Sequence, residues 1–171
     1  MSSLIQAVEQ LKNTSTSRAP VIEIHALGKC PGGHGSGKRV EDKIGTFAKY
    51  KFCLTFENNL VRDYVTERLF DAFVAGCLPV YFGAPNIREL LPSPDAAFII
   101  GSDSEYRSDP VAFLGALSAL AADRTAYEAR LAWRKLPPDM LAPGFLRLLS
   151  AMRAEDSHVR KGRASGLWPS K

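Results

Sequence analysis

The sequence predicts an α/β fold: a Rossmann-like, mostly parallel sheet with helices on both faces. Short apolar strands alternate along the chain with segments that have helical periodicity, and the connecting loops are short and polar. The chain has 171 residues, of which 46% are hydrophobic and 23% charged. This composition is that of a globular protein with one sizeable core. We therefore expect one α/β domain rather than two.

The first part of the chain predicts a helix, a loop and a strand. Apolar residues recur at helical spacing within the first eleven positions, the polar "KNTSTSRAP" follows, and "VIEIHAL" has the composition of a strand. After a glycine-rich segment, Val40, Ile44 and Phe47 mark a short helix. Apolar and polar residues then alternate in "YKFCLTFE", which predicts a second strand that ends near Glu57.

A helix and two further strands are expected after this strand. Val65, Leu69 and Phe73 share one face of the helix, and Asp63 or Thr66 is its candidate N-cap. "CLPVYFG" and "AAFII" predict short buried strands, and "NIRELL" between them predicts a turn or two of helix.

Helices are expected to fill the remainder of the domain. Pro110 is suited to the first position of a helix, where its missing N–H would have no partner in any case. We predict that residues 1–150 form the domain and that residues 151–171 form a polar, flexible tail.

Charge and cysteine content narrow the class of protein only slightly. The net charge of +4 suits an anionic ligand, but the basic residues are spread along the chain and predict no nucleic-acid surface. Cys30, Cys53 and Cys77 have no short spacing, and we interpret the last two as small buried hydrophobes that do not reveal the redox compartment. No apolar run reaches the roughly 18 residues of a membrane span, and the start lacks the pattern of a signal peptide.

The loop after the second predicted strand contains the densest group of polar residues. In an open parallel sheet, ligands bind outside the carboxyl ends of the strands, which is where "ENNLVRDYVTER" lies. A helix N-terminus there would suit a diphosphate, and Arg68 would add a full positive charge. Glu67 could accept hydrogen bonds from sugar hydroxyls. An anion and hydroxyl groups together predict a sugar nucleotide as ligand.

The stretch "YKFCLTFENNLVRDYVTERLFDAFVAGCLPVYFGAPNIRELLPSPDAAFI" resembles the donor-binding core of the α1,3-fucosyltransferases, glycosyltransferase family 10. The family pattern runs Y-K-F, F-E-N and D-Y-(V/I)-T-E-K, then A-G before "PV" and a glycine. About a third of the chain matches closely, and weaker similarity, most like the plant-type members, extends from Leu4 to about Arg134. The resemblance implies the C-terminal, GDP-fucose-binding half of a GT-B glycosyltransferase.

The resemblance also implies which residues bind the donor. In the family, the F-E-N asparagine and the glutamate of T-E-K contact the donor, and the lysine contacts the diphosphate. Asn58 and Glu67 match the first two positions, whereas Arg68 replaces the lysine and keeps the charge on a longer, planar group. Tyr64 and Thr66 are added as donor-binding residues because they belong to the same motif. Glu89 is a weaker candidate at the border of the pocket.

Other expectations follow from the resemblance alone. An N-terminal domain that supplies acceptor contacts and the catalytic carboxylate is expected to be missing from this chain, so no catalytic residue is assigned. The reaction would transfer L-fucose from GDP-fucose to a glycan or glycoprotein acceptor in α1,3 linkage with inversion. Stimulation by Mn²⁺ or Mg²⁺ is left open, and no metal ligands are predicted. The family implies a Golgi membrane enzyme with its domain in the lumen.

Two alternative functions remain. The chain could be a catalytically incomplete module that binds a GDP-sugar. "GGHGSGKR" could instead be a phosphate loop, because Gly32, Gly37 and Lys38 have the required spacing. Arg39, however, stands where a serine or threonine would hold Mg²⁺, and we interpret the segment as a connection. The three histidines have no metal-ligand spacing.

Overall fold

The computed structural model describes His25, residues 41–101 and residues 104–151. The helices are α1 (Lys43–Phe47), α2 (Glu67–Ala75), α3 (Pro110–Ala122), α4 (Arg124–Leu131) and α5 (143–151). The strands are β1 (Phe52–Phe56), β2 (Leu78–Phe82) and β3 (Phe98–Ile99). Short 3-10 turns cover Ile87–Glu89, Glu105–Arg107, Ala132–Lys135 and Pro138–Met140. The predicted "VIEIHAL" strand, apart from His25, and residues 152–171 of the predicted tail lie outside the described residues.

The three described strands form one parallel sheet in the order β1, β2, β3. The register pairs Phe52 with Leu78 and Phe56 with Phe82, and β3 pairs with the second half of β2. Because all strands run in the same direction, their carboxyl ends meet at one edge of the sheet. Glu57, Gly83 and Ile100 are the residues that leave the sheet at that edge.

Helices cover both faces of this sheet, as the sequence predicts. Tyr81 of β2 belongs to one core cluster with residues of α2 and α5, whereas its neighbour Val80 packs against Phe113 and Leu114 of α3. Successive side chains of a strand point to opposite faces, so α2 and α3 lie on opposite sides of β2. The predicted Rossmann-like architecture is confirmed.

The ends of α2 have clear local causes. Thr66 is the N-cap and its hydroxyl accepts a hydrogen bond from the backbone N–H of Arg68, which decides between the two predicted caps. Gly76 ends the helix with φ of 84°, a left-handed conformation that glycine adopts without steric cost. Asp63, the other candidate cap, has φ of 63° and lies in the loop before the helix. The helix therefore begins at Glu67, directly after the polar loop.

Cys53 and Cys77 form a disulfide, which corrects their interpretation as small buried hydrophobes. Cys53 lies in β1, Cys77 precedes β2, and their Cα atoms are 5.9 Å apart. The parallel register brings together two cysteines that are 24 positions apart in sequence. The bond therefore closes the loop that contains α2 and fixes both ends of the β1–α2–β2 unit.

Candidate functional site

Glu57 is the first residue after β1, and its carboxylate connects that strand to the start of α2. Its backbone N–H donates to the carbonyl of Phe82 at 2.8 Å, which continues the pairing between β1 and β2. Oε1 accepts from the backbone N–H of Thr66 at 2.8 Å, and Oε2 accepts from the Thr66 hydroxyl at 2.7 Å. The side chain is 0% exposed. A buried carboxylate therefore holds the N-terminus of α2 against the end of β1.

Arg68, in the first turn of α2, is the positive partner of this carboxylate. Its Nη1 donates to Glu57 Oε2 at 3.2 Å and to the carbonyl of Phe56 at 3.3 Å. The Arg68 side chain is 35% exposed, so solvent and ligands can reach part of the guanidinium. The exposed part of this guanidinium, next to the N-terminus of α2, offers N–H donors to an anion at the carboxyl edge of the sheet.

A second connection joins the loop after β1 to the loop after β2. The Asp63 N–H donates to Asn86 Oδ1 at 2.9 Å, and Asn86 Nδ2 donates to Asp63 Oδ1 at 2.8 Å. Asn86 is buried, and its reciprocal bonds hold Asp63 in its left-handed conformation. Nearby, Arg62 and Glu89 form an exposed ion pair at 2.9 Å. These contacts fix the two loops relative to each other.

A cleft of about 590 Å³ opens at this edge of the sheet, between the loops that follow β2 and β3. Its walls are about equally polar and apolar, and Tyr81, Arg88 and Ser104 supply the polar side chains. The lining residues are Leu60, Tyr81, Phe82, Gly83, Ala84, Pro85, Ile87, Arg88, Ile99, Ile100, Gly101 and Ser104. A cleft of this size and composition can hold a small organic ligand.

The structure brings some of the predicted donor-binding residues together and leaves others apart. Thr66 and Arg68 meet at the Glu57 carboxylate. Asn58 and Glu67 are exposed, and in the described part of the chain neither forms a hydrogen bond with the Glu57 carboxylate. Tyr64 takes part through its backbone carbonyl, which accepts from the Tyr81 hydroxyl at 3.4 Å. None of these five residues lines the cleft, so their role in binding the donor stays a prediction.

The site residues predicted from the sequence do not include Glu57 or Arg88, which lines the cleft. Glu57 belongs to the F-E-N motif, and an acidic residue directly after a strand, in the loop that leads to a helix N-terminus, is the signal that could have identified it. Glu89, the weaker candidate, lies beside Arg88 but pairs with Arg62. Phe82, at the end of β2, is half-buried and lines the cleft.

Tyr81 is buried under the site and its phenol is held by backbone groups. The hydroxyl accepts from the Ala84 N–H at 3.0 Å and donates to the Tyr64 carbonyl. Burial, the largest cause, raises the pKa of Tyr81 to about 12, and the negative charge of Glu57 acts in the same direction. The neutral phenol is therefore the form that the fold requires.

This shift predicts a loss of stability at alkaline pH. The folded pKa of Tyr81 lies above its ordinary value of 10.0, so the stabilisation is fully present below about pH 10 and is lost as the pH rises towards 12. Two pKa units correspond to about 2 to 3 kcal/mol of unfolding free energy. Urea unfolding across this range should show the decrease, and Tyr81→Phe should make it smaller. An equal decrease in the Tyr81→Phe variant would contradict the assignment to Tyr81.

Gly83 predicts a second stability effect at the wall of the cleft. A Cβ on this residue would collide with the Tyr81 hydroxyl and lie 2.7 Å from Glu57 Cγ. We expect Gly83→Ala to lower the unfolding free energy by about 1 to 3 kcal/mol, as overpacked substitutions do. Gly115→Ala in α3 is the control, because nothing lies within 4 Å of its Cβ position, and it should stabilise the helix by ~0.5–1 kcal/mol. Equal unfolding midpoints for the two variants would be evidence against close packing at Gly83.

The family model described as "Glycosyltransferase family 10 (fucosyltransferase) C-term" matches residues 3–142 of this chain. The chain belongs to this family. The expectation from the F-E-N and D-Y-V-T-E motifs is therefore confirmed. A family-10 assignment also agrees with a mostly parallel sheet whose polar loops lie at the carboxyl edge.

Relatives of this family-10 chain include proteins of plants and animals. A fucosyltransferase-like protein of Arabidopsis thaliana is 37% identical over 130 residues, which cover 76% of this chain and 23% of the relative. GDP-fucose protein O-fucosyltransferase 3 of Gallus gallus is 41% identical over 106 residues, which cover 62% of this chain and 21% of the relative. The chain thus spans less than a quarter of the length of these relatives.

The fold of the family-10 chain is also similar to a solved structure. A crystal structure of an α1,3-fucosyltransferase with GDP-fucose superposes with a TM-score of 0.56 at 19% identity, over 90% of this chain and 42% of that one. At this identity the likeness concerns the fold alone.

In the described ranges, no group of three or more His, Cys, Asp or Glu residues could hold a metal ion. No described helix is long and apolar enough to cross a membrane.

Proposed function

We propose that this chain is the donor-binding domain of a fucosyltransferase and that its ligand is GDP-fucose. The observation that carries the proposal is the family match over residues 3–142, which covers the loop where Arg68 and the α2 N-terminus lie at the carboxyl edge of the sheet. The relatives' names supply the donor, since the chicken protein is called a GDP-fucose protein O-fucosyltransferase.

The geometry supports binding of the nucleoside and of the diphosphate of the donor at two neighbouring places. The cleft of about 590 Å³, with both apolar and polar groups in its walls, suits a nucleoside, and the exposed part of the Arg68 guanidinium suits the diphosphate. Gly83 lies between these two places. It lines the cleft, and a Cβ on it would meet Glu57, the partner of Arg68. Asn58, Tyr64, Thr66 and Glu67 are proposed as the remaining donor contacts, with Glu67 and Asn58 facing the hydroxyls.

The proposed reaction is transfer of L-fucose with inversion of the anomeric carbon. The acceptor oxygen attacks that carbon while a base removes its proton, and the bond to the diphosphate breaks, so that GDP leaves. Negative charge grows on the leaving phosphate, where Arg68 and the α2 N–H groups would stabilise it. We assign the base to none of the residues of this chain.

Two acceptor classes are supported by different observations. The resemblance of the sequence motifs supports α1,3 linkage to a glycan. The names of the relatives support a second candidate, a hydroxyl of a protein side chain, since several are called protein O-fucosyltransferase 3. Incubation with GDP-fucose and either a glycan or a peptide, with and without a supplied N-terminal half, distinguishes the two. Transfer to neither acceptor, despite donor binding, would favour the incomplete GDP-sugar-binding module.

The phosphate-loop alternative has a separate test. Residues 32–39 lie outside the described residues, and the family match supports their interpretation as a connection. If they bound nucleotide, Lys38→Ala would abolish binding while Arg68→Ala would not. Our proposal expects the reverse result. Dependence of transfer on Mn²⁺ or Mg²⁺ is measured in the same assay by addition of a chelator.

We also propose that the domain works in an oxidising compartment, in accordance with the Golgi lumen that the resemblance implies. The Cys53–Cys77 disulfide supports this, since such bonds persist in the secretory pathway and are rare in the cytosol. Fractionation of cells that express the natural gene product, with detection of this chain in each fraction, is the test.

A further inference from the structure

The Glu57 carboxylate is buried more deeply than its role as a helix cap requires. Its side chain is fully buried, and an ionised carboxylate in such a place is costly unless charges and hydrogen bonds compensate it. Its partners are the N–H and hydroxyl of Thr66 and the guanidinium of Arg68. Thr66 alone would cap α2 through its own hydroxyl. The carboxylate therefore has a second consequence, which is to hold Arg68.

Among the described residues, the protein occupies one nitrogen of the Arg68 guanidinium. Nη1 donates to Glu57 and to the Phe56 carbonyl, whereas Nε and Nη2 have no protein partner within the described part of the chain. A guanidinium presents five N–H groups in a rigid plane, so fixing one nitrogen fixes the direction of the others. A lysine carries its three N–H donors on one rotatable nitrogen, so a contact to one of them would not fix the direction of the others in this way.

We propose that Glu57 is a positioning residue, which anchors Nη1 of Arg68 so that its remaining N–H groups are held ready for the donor diphosphate. Glu57 itself does not contact the donor. This inference rests on the proposed function, because it assumes that Arg68 receives the diphosphate. It also explains why an arginine serves at the position where the family pattern has a lysine.

Glu57→Gln separates the contacts of the carboxylate with Thr66 from its contact with Arg68. The amide oxygen still accepts from the Thr66 N–H, and the Thr66 hydroxyl can rotate to accept from the amide nitrogen. Arg68 Nη1, by contrast, meets an N–H donor in place of a charged oxygen and keeps only the Phe56 carbonyl as acceptor. The variant therefore keeps the cap of α2 and loosens the guanidinium.

We expect Glu57→Gln to weaken GDP binding about tenfold in calorimetry on the full 171-residue chain, as loss of a charge-assisted contact does. Binding of guanosine, which has no diphosphate, should not change when it is measured by ligand-observed NMR. The matched control is Glu128→Gln, which removes the carboxylate of an exposed Arg124 pair on α4 and should leave both affinities unchanged.

The outcomes separate this inference from the proposed function. A purely structural role would weaken GDP and guanosine binding equally, and unchanged GDP binding by Glu57→Gln would also overturn the inference. Absence of GDP binding by the unmodified folded chain would overturn the proposed function and this inference with it. If Glu57→Gln does not fold, side-chain NMR of Arg68 in the unmodified chain decides: slow rotation of the guanidinium supports the anchor, and free rotation refutes it.

Discussion

Replacement of both Cys53 and Cys77 by alanine should lower the free energy of unfolding by about 3 kcal/mol. The disulfide closes a loop whose ends are 24 positions apart, and a crosslink of that length restricts the unfolded chain by an entropy of this size. The loop contains α2, whose first turn carries Thr66 and Arg68. Loss of the bond is therefore expected to loosen the site together with the fold.

Urea unfolding with and without a reducing agent measures this effect. Reduction should destabilise the unmodified chain by a similar amount and leave the double variant unchanged, since the variant has no bond between β1 and β2 to break. If reductant lowers the midpoint of the unmodified chain and of the variant equally, the effect does not come from this disulfide. If it lowers neither, Cys53 and Cys77 do not stabilise the fold through a crosslink.

Arg68→Ala should weaken GDP binding about 30-fold to 150-fold. Charge-assisted hydrogen bonds to phosphate contribute about 2 to 3 kcal/mol, which corresponds to this range. Arg68→Lys should lose less, because the charge is kept but the planar contact is not. Calorimetry with GDP gives the affinities, and Arg124→Ala is the control, because Arg124 forms an exposed pair with Glu128 away from the site.

Arg68→Ala also leaves the Glu57 carboxylate buried and without its cation, which by itself destabilises a fold. The double variant Glu57→Gln/Arg68→Ala removes that charge and isolates the binding effect. Arg88→Ala tests the arginine that lines the cleft. Full GDP affinity in Arg68→Ala, with a large loss in Arg88→Ala, would move the phosphate site from the α2 N-terminus to the cleft wall.

Local sequence signals predict the elements around the site well. The alternation in "YKFCLTF" and the apolar "CLPVYFG" correspond to β1 and β2, and Pro110 does begin α3. Shorter elements differ from the expectation. "NIRELL" forms only the 3-10 turn Ile87–Glu89, and regular pairing in "AAFII" covers only Phe98–Ile99. Short apolar runs carry too little periodic information to set such boundaries.

The features that the sequence does not predict depend on contacts between distant residues. The disulfide requires the parallel register that aligns Cys53 with the start of β2. The Asp63–Asn86 pair joins two loops that no local pattern relates. Glu57 could be recognised as part of a motif, but its burial and its bond to Arg68 follow only from the packing of α2 on the sheet. Motifs thus identify the region of the site, and the tertiary structure determines which side chains meet there.

Calorimetric titration of the purified, folded chain with GDP-fucose tests the central claim most directly. We predict binding in the micromolar range that GDP displaces and that Arg68→Ala loses. A folded chain that binds neither GDP-fucose nor GDP would contradict the assignment of a donor site to this domain.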